Sequence, residues 1–138
     1  MKTLLDEHAR SSWEFAWAYT GRTDTALACL ALAATTWEAT RLPSREPDRR
    51  RAVWRILVDS CRQQVSARPP GDPESGDPRL AAILSLPLEL REVLLLLRYH
   101  GASGEDLGAT LGTSGEVALG RAQRALSRVA LAQAMPGS

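Results

Sequence analysis

Leu86-Pro-Leu-Glu-Leu-Arg-Glu-Val-Leu-Leu-Leu-Leu-Arg-Tyr-His-Gly-Ala-Ser-Gly-Glu-Asp-Leu-Gly-Ala-Thr-Leu-Gly-Thr-Ser114 carries three helix signals in succession. Pro87 stands where a helix tolerates proline, in its first turn. Leu90, Val93, Leu94 and Leu97 then recur at helical spacing, and Gly101 closes the run. A short helix is expected after Ser103. Another follows Thr113-Ser114-Gly115-Glu116, in which Thr113 and Glu116 have capping-box spacing. Between them, Leu111-Gly112-Thr113 is a tight turn. Two short helices about such a turn outline a helix-turn-helix.

The surrounding chain has the same character. Strand signals are nearly absent: the sequence has four Trp, two Tyr and one Phe, and β-branched residues never alternate usefully with polar ones. The expected fold is all-α. A weak helix, Leu80-Ala-Ala-Ile-Leu84, opens a second module at residues 80–138. Ahead of it, residues 66–79 contain half of the eight prolines and nothing apolar larger than Ala67 besides them. That segment reads as a flexible Pro/Gly-rich linker. Residues 1–65 form the first module, with helices expected over 7–20, 25–40 and 49–65. The first carries Ala9, Trp13, Ala16 and Trp17 at helical spacing. Thr23 or Asp24 suits the N-cap of the second, and Asp48 that of the third. Val53, Ile56, Leu57, Cys61 and Val65 form the third helix's inward stripe.

At 138 residues, with 44% apolar and 24% charged side chains, the chain suits one domain or two very small ones. No apolar run approaches the roughly 18 residues of a membrane span, and the first residues lack the apolar stretch of a secretory signal. Cys29 and Cys61 have no C-x-x-C spacing, which fits a reducing cytoplasm and argues against a disulfide scaffold or zinc ribbon. His8 and His100 are isolated. No catalytic constellation, metal site or cofactor loop is visible, so a non-enzymatic protein without cofactors is expected.

Net charge is +1, yet residues 41–68 hold eight Arg against three acids, and Arg121, Arg124 and Arg128 follow the last acid, Glu116. Sixteen of the seventeen basic residues are Arg, the side chain suited to phosphate forks and base stacking. In the last helix, Ala118, Ala122, Ala125, Leu126 and Val129 share an inward face. Ser114, Val117, Arg121, Arg124 and Arg128 share an adjoining one, from which three arginines can reach phosphates or base edges. Three charges on a stripe are usually only a solvated face; the preceding turn and small-residue core favour DNA. On the third helix, Arg51, Arg55 and Arg62 flank Trp54, a pairing that suits unstacked single-stranded bases if Trp54 is exposed. A buried Trp54 beside solvated arginines fits the spacing equally well.

These residues resemble the bacterial extracytoplasmic-function (ECF) sigma factors. The C-terminal domain of that family usually reads Leu-Pro, a few residues, Arg-Glu-Val-Leu, then a Gly-x-Ser turn before its helix-turn-helix, as residues 86–114 do. The family often continues Thr-Val-Lys-Ser-Arg-Leu-His-Arg-Ala-Leu. Residues 117–126 read Val-Ala-Leu-Gly-Arg-Ala-Gln-Arg-Ala-Leu, matching at Arg121, Arg124, Ala125 and Leu126, with Leu119 in place of the Lys. The resemblance implies that this helix reads the duplex upstream promoter element. In the first module, Val53-Trp54-Arg55-Ile56 is similar to the family's Leu-Tyr-Arg-Ile, with Ala52 for a preceding Trp and Asp59 for an Asn. That helix is implied to capture the melted downstream element. The likeness spans residues 8–130. LuxR-type regulators share the C-terminal pattern, and the N-terminal match favours sigma.

The largest departure is in the second helix. Where the family has Ala-Glu-Asp-Leu-Val-Gln-Glu to grip core RNA polymerase, this chain has Ala26-Leu-Ala-Cys-Leu-Ala-Leu32. Ala26, Cys29, Leu30, Ala33 and Trp37 supply an inward stripe, so Leu27, Ala28, Ala31 and Leu32 are expected to face outward as a partner-binding patch. Small exposed apolar side chains on an Ala-rich helix are also common without function. Three readings follow. The chain is a sigma-like protein binding promoter DNA and polymerase; a sigma mimic acting on an anti-sigma protein, a sigma-like chain or a second copy of itself; or a free-standing helix-turn-helix regulator.

Overall fold

The structure is a computed structural model, and it describes residues 4–45, 48–67, 73, 76–99 and 104–134. These residues contain seven helices and no strand: α1 (Leu4–Thr20), α2 (Thr23–Ala39), α3 (Asp48–Ala67), α4 (Pro78–Leu84), α5 (Leu88–Tyr99), α6 (Gly104–Leu111) and α7 (Gly115–Ala134). The all-α expectation holds. Half of the expected linker, residues 68–72 and 74–75, lies outside the described residues, as do His100 and the expected helix stop at Gly101.

Local chemistry sets the helix ends. Asp77 caps α4, its Oδ1 accepting from the Arg79 amide at 2.9 Å, with Pro78 in the first turn. The Pro87 carbonyl accepts from the Leu90 and Arg91 amides at 3.0 Å and so starts α5. The α2 cap differs from expectation. Arg22 takes the N-cap position with no side-chain capping bond to the helix amides, its guanidinium pairing instead with Asp24, which lies inside the first turn and accepts from the Thr25 amide at 2.8 Å.

The inward stripes are wider than their spacing implied. On α1, Phe15, Ala16 and Tyr19 are fully buried, whereas Ala9 is exposed and Trp13 and Trp17 are half-buried. On α3, Trp54 and Val58 join Val53, Leu57 and Cys61 in the core, while Ile56 and Val65 are half-buried. On α5, Leu95 and Leu96 are deeper than Leu94 and Leu97. Elements packed on two sides cause this: α5 lies against α7 and α6 and also against α1.

The helices of 80–138 do not form a separate core. α1 packs on α4 and α5, α3 packs on α6, and one apolar cluster runs from Phe15, Trp37 and Leu57 through Leu90 and Leu96 to Leu107 and Ala122. Polar bonds cross the same boundary. The Arg62 guanidinium donates to both carboxylate oxygens of buried Glu92, Nε at 2.6 Å and Nη2 at 2.8 Å, and the Tyr19 hydroxyl donates to Glu92 Oε2 at 2.6 Å. Arg91 donates through Nη1 to the Tyr19 carbonyl at 2.8 Å and through Nη2 to the Leu84 carbonyl at 2.6 Å. One cation thus serves orphan carbonyls at the ends of two helices, α1 and α4. Cys29 and Cys61, distant in sequence, are buried free thiols brought near each other where α2 packs on α3. The neighbouring Cys29 thiol, then burial, pushes the Cys61 thiol well above its usual range.

Candidate nucleic-acid interface

The turn between α6 and α7 is built from glycine. Gly112 has φ +75°, the left-handed conformation that ends many helices. With it, the Thr113 amide reaches back to the Gly108 carbonyl at 2.8 Å, the long bond of a Schellman closure. Gly108 is needed for a different reason. A Cβ there would stand 2.7 Å from Thr113 O, Ser114 C and Gly115 N, all backbone atoms. The two helices meet this closely only because α6 presents no side chain at that point.

Ser114 then caps α7: its Oγ accepts from the Val117 amide at 3.2 Å, and its carbonyl accepts from the Ala118 amide at 3.0 Å. The cap is Ser114 and not the expected Thr113, because the Schellman turn consumes Thr113. Ala118, Ala122 and Ala125 are buried, and Val129 is half-buried. Leu126 departs from its expected inward position and is 53% exposed. It stands at the mouth of an apolar cavity of about 550 Å³ between α1, α4, α5 and α7, with Trp17, Ile83, Leu94 and Val129 among its walls.

The flank assigned to DNA is largely open. Ser114 and Val117 are exposed, as are Arg124 and Arg128, and neither of these arginines is in an ion pair. Arg121 differs: its side chain is 26% exposed and its Nε lies 3.6 Å from Glu89 on α5. α7 thus carries a basic flank, unpaired at Arg124 and Arg128, adjoining a flank of packed alanines. Chemically, that arrangement offers forked donors to phosphate oxygens or to the acceptors of a major groove.

The α3 site is altered more. Trp54 is 1% exposed and packs edge-on against Phe15, with ring centroids 5.5 Å apart. It presents no surface on which a base could stack, so the exposed-aromatic expectation is corrected in favour of the buried one; the core claims this indole because α1 covers α3 there. Arg51 is bound to Asp106 of α6, with Nε at 2.6 Å, and that bond strengthens its hold on the proton. Arg62 is held by Glu92, which likewise raises its affinity for the proton. Arg55 alone of the three is exposed and outside any ion pair.

On α2, Leu27 is 56% exposed, Ala31 is exposed and Ala28 is half-buried, so the apolar outward patch exists. Leu32 is half-buried, not fully outward, and the patch is narrower than expected. Helical spacing alone did not single out Tyr19, Glu89, Arg91, Glu92 or Asp106. The one signal in the sequence was Val93-Leu-Leu-Leu-Leu97, an apolar run all round the helix, which implies burial on two sides and makes neighbouring charges candidates for buried pairing.

Among the described residues, no helix is long and apolar enough to cross a membrane, and no group of three or more His, Cys, Asp or Glu could hold a metal. No protein-family model matches the chain, and no curated protein is similar enough to count as a relative.

Proposed function

We propose that this chain is a sigma-like transcription protein that binds promoter DNA through its α6–α7 helix-turn-helix and directs or modulates initiation by RNA polymerase. The observation that carries this is the open flank of α7, Ser114, Val117, Arg124 and Arg128, delivered by a turn whose glycines permit close helix contact. The likeness of residues 86–126 to the ECF C-terminal domain adds the promoter and the polymerase. Replacing Arg121, Arg124 and Arg128 together with Ala tests it. Every phosphate that a removed arginine had neutralised flattens the plot of log K against log salt by ~0.9. Arg121 is partly engaged by Glu89, so the expected change is nearer ~2 than ~3 units. A folded variant with an unchanged salt slope rejects the reading.

The exposed Leu27–Ala31 patch supports a second reading, a sigma mimic that acts by protein contact. On that reading α2 has exchanged the polar grip on core polymerase for an apolar surface facing an anti-sigma protein, a sigma-like chain or a second copy. The two readings separate in one pair of assays: capture by core polymerase and binding to duplex DNA.

A further inference from the structure

The three arginines that flank Trp54 on α3 have two different fates. Arg51 is neutralised by Asp106 and Arg62 by Glu92, while Arg55, on the same flank between them, is exposed and outside any ion pair. Its Nη2 lies 3.9 Å from the point that a Cβ on Gly112 would occupy. Arg55 therefore stands at the turn that delivers α7. Further along, Arg62 and Arg121 line one cavity of about 290 Å³ together with Glu89 and Glu92. α3 packs on α6, the helix that ends in this turn, so Arg55 and the start of α7 share one side of the molecule.

We propose that Arg55 and the open flank of α7 form one surface for the phosphate backbone of a single short DNA duplex. Both halves then contact one stretch of DNA, not two separated elements joined by a tether. The inference rests on the helix-turn-helix reading above. A recognition helix enters the major groove with its first residues, so phosphates flank the turn that precedes it. Arg55 is the α3 cation placed there. Arg51 and Arg62 contribute little, because the carboxylates that hold them would repel a phosphate. Duplex is favoured over single strand because stacking platforms need an exposed aromatic, and Trp54 is buried.

The test is fluorescence anisotropy on the full chain, with labelled duplexes of arbitrary sequence, ~12 and ~30 base pairs long, titrated over a range of salt. Nonspecific backbone binding suffices, so no promoter need be known. Arg55→Ala is expected to weaken binding and to lower the salt slope by ~0.9, and Arg55→Lys to restore the slope. Arg79→Ala makes the same charge change at an exposed arginine beside the apolar cavity on the other flank of α7, and is expected to leave the slope alone. The wild-type slope should be the same on the two duplexes. A slope that steepens on the longer duplex would mean that the halves reach separate stretches, which overturns the proposal. So would an Arg55→Ala variant indistinguishable from Arg79→Ala; if Arg124→Ala with Arg128→Ala still flattens the slope, the helix-turn-helix reading survives that failure. If that double variant also has no effect, or the wild type binds neither duplex, both readings fall.

Discussion

Glu92 shows how one side chain can tie a fold together. It is 3% exposed, takes two bonds from Arg62 and one from Tyr19, and has α1, α3 and α5 as its surroundings. A buried carboxylate is tolerated only when its lone pairs are so occupied. The effect on Tyr19 can be measured. Burial first, then the charge and hydrogen bond of Glu92, raise the Tyr19 phenol well above its usual value near 10. The folded state thus favours the protonated phenol. This contribution is fully present below about pH 10 and is lost as pH rises from there towards the folded value, by about 1.4 kcal/mol per pH unit. Tyr19→Phe should cost ~1–2 kcal/mol at pH 7 for the missing bond, yet show a flatter decline between pH 10 and 11. Urea midpoints of both proteins across that range provide the check; parallel declines would show that Tyr19 does not titrate against folding.

At the scale of elements, α6 offers a conflict between propensity and packing. Gly108→Ala gains ~0.5–1 kcal/mol as an intrinsic helix preference. The new Cβ would, however, meet three backbone atoms at 2.7 Å, and overpacking against groups that cannot rotate away costs ~1–3 kcal/mol. Packing wins, so the variant should melt lower and bind DNA more weakly. A higher melting temperature would mean that the α6–α7 contact is looser than described. The α2 patch invites the opposite kind of change. Leu27→Glu replaces a 56% exposed side chain and should leave the monomer's stability within ~0.5 kcal/mol. If the patch is an interface, sedimentation should show loss of a dimer or partner complex, because desolvating an unpaired carboxylate costs several kcal/mol. Leu32→Glu is the poorer probe, since that side chain is half-buried and its failure would mix folding with binding.

For the whole molecule, the single core makes a thermodynamic claim. Separating the halves would break the Tyr19–Glu92–Arg62 bonds and the Arg91 clamp and uncover part of a continuous apolar cluster. Residues 4–67 and 76–134 should therefore unfold as one cooperative unit. All four tryptophans, Trp13, Trp17, Trp37 and Trp54, lie in the first half, so their fluorescence reports that half, whereas far-UV circular dichroism reports every helix. The two urea transitions should coincide. A fluorescence transition displaced from the dichroism one would show two independently folding modules, as a tethered pair requires.

Local rules were sufficient for much of this molecule. Periodicity, proline and glycine placed the seven helices within a few residues, because helix ends depend on neighbours in sequence: Pro87 before α5 and Gly112 after α6, whereas α4 begins at Pro78, inside the segment expected to be linker. The same rules identified the α7 stripe and the outward Leu27, since a helix has a face whether or not its partner is known. They did not determine which face meets which. Trp54 and Arg55 are adjacent in sequence, yet one is buried against Phe15 and the other is exposed beside Gly112. Arg51, Arg55 and Arg62 are indistinguishable by spacing, and only the approach of Asp106 and Glu92 from the other half divides them. The thiols of Cys29 and Cys61 meet for the same reason. Charge pairing and burial depend on contacts between residues remote along the chain. Those contacts exist only once the helices have packed, so the tertiary structure alone decided which cations remain free to bind anything else.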